Sequence, residues 1–96
     1  MILEAAMLIV KLGEQEKFEK DFSTASQYIR RIKGYIRHNL HRCIEQQNKY
    51  LLLVEWDQLE DHTIGFRQSP QYQNWKELLH HYYDPFPVVE HYEVIF

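Results

Sequence analysis

Residues Ile2 to Val10 are apolar apart from Glu4, and a run that short between polar segments reads as a buried strand. Gly13 breaks it. Phe18, Phe22, Ala25, Ile29 and Ile32 then recur at steps of three and four, which draws one apolar stripe along a helix over residues 14–32. Glu16, Lys17, Lys20, Gln27 and Arg31 fall on its wet side, and Gly34 supplies a C-terminal stop. From Tyr35 to Ile44 the period changes to two: Ile36, Leu40 and Ile44 share a face with His38 and Arg42. Tyr35, Arg37, Asn39, His41 and Cys43 take the other. A polar connection, Glu45 to Asn48, leads into a second apolar strand over Lys49–Trp56, so the pair forms a hairpin.

Asp57 followed by Glu60 has the form of a capping box and opens a short helix from Gln58 to Phe66. Ser69-Pro70 starts another, with Ser as N-cap and Pro in the first turn. Tyr72, Trp75, Leu78, Leu79, Tyr82 and Tyr83 give it a broad aromatic face; Asp84-Pro85-Phe86-Pro87 stops it, and Val88–Phe96 alternates as a last strand. The order β-α-β-β-α-β predicts one ferredoxin-like α+β domain over residues 1–96, a four-stranded antiparallel sheet with both helices on one face. Strands one and three are apolar on both sides, so the helices leave one apolar sheet face uncovered. A second copy of the chain is the simplest cover, which predicts a homodimer through the open face.

Composition narrows the function classes. Eleven basic residues against 14 acidic ones give a net charge of −3, without the basic footprint that nucleic-acid binding needs. The cluster Arg30, Arg31, Lys33, Arg37 and Arg42 sits where a helix ends, and cations there complement its dipole. A lone cysteine, Cys43, allows no internal disulfide and suits the cytoplasm. The N-terminal run lacks a basic leader and no apolar stretch approaches bilayer length, so neither a signal peptide nor a membrane association is expected. The histidines make a poor metal site: His38 and His41 fall on opposite strand faces, and the neighbours His80 and His81 diverge around a helix. Neither a Gly-x-Gly-x-x-Gly dinucleotide fingerprint nor the stacking aromatics of an RNA-recognition sheet is present, and the loop Lys11-Leu12-Gly13-Glu14 is no phosphate cradle.

The stretch Leu53-Val54-Glu55-Trp56 with Asp61-His62, then Gly65-Phe66-Arg67 and Ser69-Pro70-Gln71-Tyr72, resembles the antibiotic biosynthesis monooxygenase family, as do the length and element order of the whole chain. The resemblance implies a dimeric α+β barrel with a ligand pocket between each sheet and its own helices. It also implies a choice of activities, including cofactor-free oxidation of phenols or quinols and heme degradation. Heme degradation is not expected, because the three positions that would carry it hold Ala6, Phe66 and Lys76.

Cofactor-free oxygenation needs a base to ionise the substrate and a dry aromatic pocket to shelter the anion. His62 is the candidate base, with Asp61 beside it. Phe66, Tyr72 and Trp75 are candidate walls and Arg67 a candidate anchor for a phenolate, while His38 and His91 stand behind His62 as further pocket residues. Each has a structural alternative: a packing histidine for His62, and plain helix-to-sheet core for the three aromatics. The expected function is therefore a cofactor-independent monooxygenase acting on a small aromatic phenol or quinol, with no metal or cofactor. The alternative is a non-enzymatic dimeric ligand-binding or stress-response protein on the same fold.

Overall fold

Alternate side chains of the first strand set the two sides of the molecule. In the computed structural model, which describes residues 1–96, β1 (Ile2–Ile9) buries Glu4, Ala6 and Leu8 on one face and turns Met7 to the other. Then follow α1 (Gln15–Ile29), β2 (Tyr35–Arg42), β3 (Lys49–Trp56), a π-helical segment (Asp61–Phe66), α2 (Pro70–Leu79) and β4 (Val89–Glu93). A turn of 3-10 helix, His80–Tyr82, closes α2. The strands lie in the order β2-β3-β1-β4 and every neighbouring pair is antiparallel, as the ferredoxin-like reading requires.

Tyr50, Leu52, Val54 and Trp56 of β3 point to the same side as Ala6 and Leu8, and Phe18, Phe22, Ala25 and Ile29 of α1 close over them. Two hydroxyls fasten the helix to its surroundings: Tyr50 donates to Glu19 Oε2 and Tyr82 to Asp21 Oδ2, each at 2.6 Å. The basic residues of β2 are spent on surface ion pairs, Arg37 with Glu55 and Arg42 with Glu19. No helix is long and apolar enough to cross a membrane.

The fold departs from the sequence reading in four places. Helix α1 ends at Ile29 rather than residue 32, and Gly34 lies beyond it, in the turn that enters β2 with φ +87°. A bulge at Ile36 makes Tyr35 pair with Trp56 and Arg37 with Glu55, so Tyr35 joins His38 and Leu40 on the helix-facing side while Ile36 faces solvent. The Asp57–Glu60 capping box is not made; Asp61 Oδ2 instead accepts from the Gln58 N–H at 3.0 Å. Strand β4 stops at Glu93, whose partner is Ile2, because β1 has no further strand residue for Val94 to Phe96 to pair with. The Ser69-Pro70 start of α2 does form, with Ser69 Oγ accepting from the Tyr72 N–H at 3.1 Å.

Candidate active site

Register brings the chemistry together. Glu4 on β1 sits directly across from His91 on β4 and from Val54 on β3, so Glu4 and His91 are neighbours on the helix-facing side. Trp56, two residues after Val54, donates its indole N–H to Glu4 Oε1 at 2.9 Å. The π-helical segment then lays His62 over this group. Its imidazole stacks on Trp56 with ring centres 5.4 Å apart, and its Nε2 lies 3.4 Å from Glu4 Oε1. Its Nδ1 is 2.7 Å from His91 Nε2. π-helical turns widen the backbone and occur often at functional sites. Here the turn presents His62 and Phe66 to the same indole, Phe66 being 5.9 Å from Trp56.

Beside this cluster, between the sheet and α2, lies a cavity of about 420 Å³. Ala6, Leu8, Leu52 and Val89 form its sheet wall; Phe66, Tyr72 and Trp75 face them, in edge-on contacts at 5.1 and 5.7 Å. Glu4, His62 and Arg67 make a polar end, and His80, Tyr83 and Phe86 close the other side. A volume of this size accommodates a small polycyclic molecule, and the mix of aromatic walls with few polar groups is that of a ligand pocket. Glu4 Oε1 is engaged by Trp56; Oε2 carries no hydrogen bond and is not sealed off, which leaves it for the cavity.

The burial of this cluster tunes it. Glu4 is only 5% exposed, and desolvation lifts its carboxyl to about 7, against the opposing pull of the Trp56 N–H and the Arg67 charge. His62, 3% exposed, is pushed the other way, to about 3, by burial and then by the positive charges of Arg67 and His91. His91 is lowered by burial and by Arg67. At neutral pH the site therefore holds a neutral imidazole next to a carboxyl poised between its two forms. A group that titrates near the working pH is the better proton acceptor, which makes Glu4 a candidate base beside His62.

Of the residues singled out from the sequence, His62, Phe66, Arg67, Tyr72 and Trp75 all line this cavity. His91 reaches it through His62. His38 does not line it: β2 is two strands removed from β1, and there His38 accepts or donates a 2.6 Å hydrogen bond with the Tyr35 hydroxyl and packs on Phe22 beneath α1. Sequence reasoning passed over Glu4, weighed His80 only as a metal ligand and placed Tyr83 on an aromatic helix face without assigning it to the site. Glu4 carried a signal, since it is the one ionisable side chain in an apolar strand and has the parity of the buried Ala6 and Leu8. Tyr83 carried one too, its place on the aromatic face of Tyr72 and Trp75, whereas His80 carried none beyond its place at a helix end.

The chain is similar to known proteins along its whole length. A family model described as antibiotic biosynthesis monooxygenase matches residues 1–78. The uncharacterized protein YczJ of Bacillus subtilis (strain 168) is 56% identical over 93 residues, covering 97% of this chain and 98% of that protein. Among solved structures, a putative antibiotic biosynthesis monooxygenase from Bordetella bronchiseptica superposes with a TM-score of 0.93 at 32% identity, covering 99% of this chain and 97% of that one. SnoaB, a cofactor-independent oxygenase from Streptomyces nogalater, shares the fold with a TM-score of 0.74 at 20% identity, over 99% of this chain and 93% of its own.

Proposed function

The chain belongs to the antibiotic biosynthesis monooxygenase family, and from that premise we propose that it is a cofactor-independent monooxygenase acting on a small aromatic phenol, quinol or anthrone. The observation that carries this reading is the free oxygen of Glu4, tuned to neutral pH and facing an aromatic-walled cavity. Glu4 Oε2 takes the acidic hydrogen of the substrate. Arg67, which shares that end of the cavity, offsets the negative charge of the resulting anion. Phe66, Tyr72 and Trp75 hold the planar ring and keep water from it. The electron-rich anion reduces oxygen directly and combines with it. On a phenol or anthrone one oxygen atom enters the ring as the new quinone carbonyl, on a quinol as a hydroxyl group of the product quinone; the other leaves as water, which takes back from solvent the hydrogen that Glu4 removed. The substrate supplies all four electrons, so the reaction balances without an external reductant.

Oxygen uptake by the purified protein over a panel of phenols, hydroquinones and anthrones, with no metal or flavin added, tests this. The expected result is one oxygen consumed per quinone formed. Binding of a planar phenol without uptake would replace the enzyme with the ligand-binding reading.

We also assign a homodimer through the open sheet face. Met7, Leu51 and Tyr92 on that face are 50%, 41% and 50% exposed, and they stand beside the half-buried Leu3, Ala5, Ile9 and Leu53. Sedimentation at micromolar concentration is expected to show a dimer, and Leu51→Asp, which sets a carboxylate into the apolar patch, a monomer of unchanged fold. A wild-type monomer at every concentration overturns the assignment.

A further inference from the structure

Three titratable side chains in a row are an expensive thing to build into the helix-facing side of a sheet, where apolar residues would serve packing better. Glu4, His62 and His91 form such a row, and it is ordered by depth. Glu4 and His62 are buried, whereas His91, on the edge strand β4, is half-buried. The free oxygen of Glu4 faces the cavity. From its other oxygen the path runs 3.4 Å to His62 Nε2, through the ring to Nδ1, and 2.7 Å on to His91 Nε2. The first gap is a few tenths of an ångström longer than a direct hydrogen bond.

We propose that Glu4, His62 and His91 form a proton relay that carries the hydrogen taken from a ligand out of the cavity to solvent. The need for it follows from the reading of Glu4 as proton acceptor, on which this inference rests. A planar ligand seated in the cavity covers the free oxygen of Glu4 and removes its direct route to water. The relay balances. A half-turn of the Glu4 carboxyl brings its protonated oxygen opposite His62 and passes the hydrogen to Nε2, His62 passes the hydrogen on its Nδ1 to His91 Nε2, and His91 releases one from Nδ1. One hydrogen enters at the carboxyl and one leaves at the strand edge, and His62 exchanges which nitrogen is protonated without becoming an imidazolium. The starting set returns when the two rings turn over. Stacking on Trp56 fixes the plane of the His62 ring.

The groups around the relay favour this neutral mode. The charge of Arg67 acts on all three members and opposes a charge on either imidazole. Trp56 from β3 donates to Glu4, and Tyr72, His80 and Tyr83 are the remaining titratable groups around the cavity.

The test does not depend on turnover. Nitrogen-15 correlation spectra of the histidine rings, assigned with single His→Gln variants, report charge and tautomer directly. His62 is expected to stay neutral from pH 5 to pH 8 while its hydrogen moves from Nε2 to Nδ1 as Glu4 is protonated, with a midpoint near 7. A tautomer that ignores the Glu4 titration, or an imidazolium at His62 in that range, overturns the relay whatever the fate of the oxygenase reading. Where turnover is found, His91→Gln keeps a hydrogen-bonding group opposite His62 but cannot pass a proton. The rate is then expected to fall ~10-fold or more and to recover with added imidazole. A rate equal to wild type overturns the relay and leaves the oxygenase standing. A moving tautomer with no oxygen uptake supports the relay and removes the oxygenase.

Discussion

Glu4→Gln is expected to cut turnover at least a hundredfold and, above pH 7, to make the protein more stable. The first effect follows from removing the proposed proton acceptor while keeping its shape: loss of a general base costs roughly 10²–10⁴-fold. The second follows from linkage. The Glu4 carboxyl titrates near 7 in the folded chain and near 4.5 in the reference state, so between these values the folded protein binds the extra proton. Stability from this group is thus fully present below pH 4.5 and is lost as pH rises through 7. A raised value on that scale corresponds to about 3 kcal/mol of ionisation cost carried by the native protein at alkaline pH. Glutamine is never ionised and still offers an oxygen to the Trp56 N–H. Urea unfolding at pH 4 and pH 8.5 is therefore expected to show the difference between variant and wild type swinging by about 3 kcal/mol in the variant's favour. A variant that is less stable by the same amount at both pH values would show that Glu4 is a packing residue.

His62 contributes in the opposite sense. Its imidazole is held near 3 in the fold, so the unfolded chain binds the extra proton below its ordinary value of 6.5, and stability falls as pH drops from there toward 3. Between pH 4.5 and 6.5 the two groups oppose each other, which flattens the pH dependence there and hides both in the wild type. Glu4→Gln exposes the His62 limb as well as removing its own.

The second large effect is expected from Gly34→Ala. Gly34 has φ +87°, a conformation that costs an L-residue roughly 1–2 kcal/mol. It also has no room: an added Cβ would stand 2.7 Å from Asp61 Cβ and nearer still to the carboxyl group. Asp61 would have to swing away and give up the Gln58 N–H, a further loss of about 1 kcal/mol. The sum, about 2–3 kcal/mol, falls on the contact between the π-helical segment and the turn that enters β2. Asp61 immediately precedes His62, so His62 should lose its place over Trp56 as well. In an Asp61→Ala background most of the collision is gone, and the same Gly34→Ala change is expected to cost only about 1–2 kcal/mol. Equal costs in both backgrounds would mean that Asp61 does not press on Gly34.

How far the sequence could be read follows from how local each feature is. The strands at 2–9 and 49–56 and the stripe of α1 declare themselves because burial imposes a period on neighbouring residues. The Ile36 bulge was out of reach, since it is decided by which β3 residues Tyr35 and Arg37 meet. The length of β4 was out of reach for the same reason: Val94 alternates correctly but has no partner on β1. At the site, His62, Phe66, Arg67, Tyr72 and Trp75 were visible as a cluster along one segment. The juxtaposition of Glu4 with His91 was not, because their residue numbers differ by 87 and only the β1–β4 register joins them. The candidacy of Glu4 as a base was hidden on the same account. Burial of both groups is a tertiary fact, and it weakens an imidazole as a base while strengthening a carboxylate.

The placement of the two tryptophans means that the molecule carries its own optical probes. The chain has only two, and they stand at different stations: Trp75 in the wall of the cavity, Trp56 stacked on His62 and bonded to Glu4. Indole emission is sensitive to a ring stacked upon it and to charge beside it, so Trp75 reports occupancy of the cavity and Trp56 the protonation of its neighbours. With Phe at one position, the light from the other separates filling of the site from proton movement within it, with no label attached.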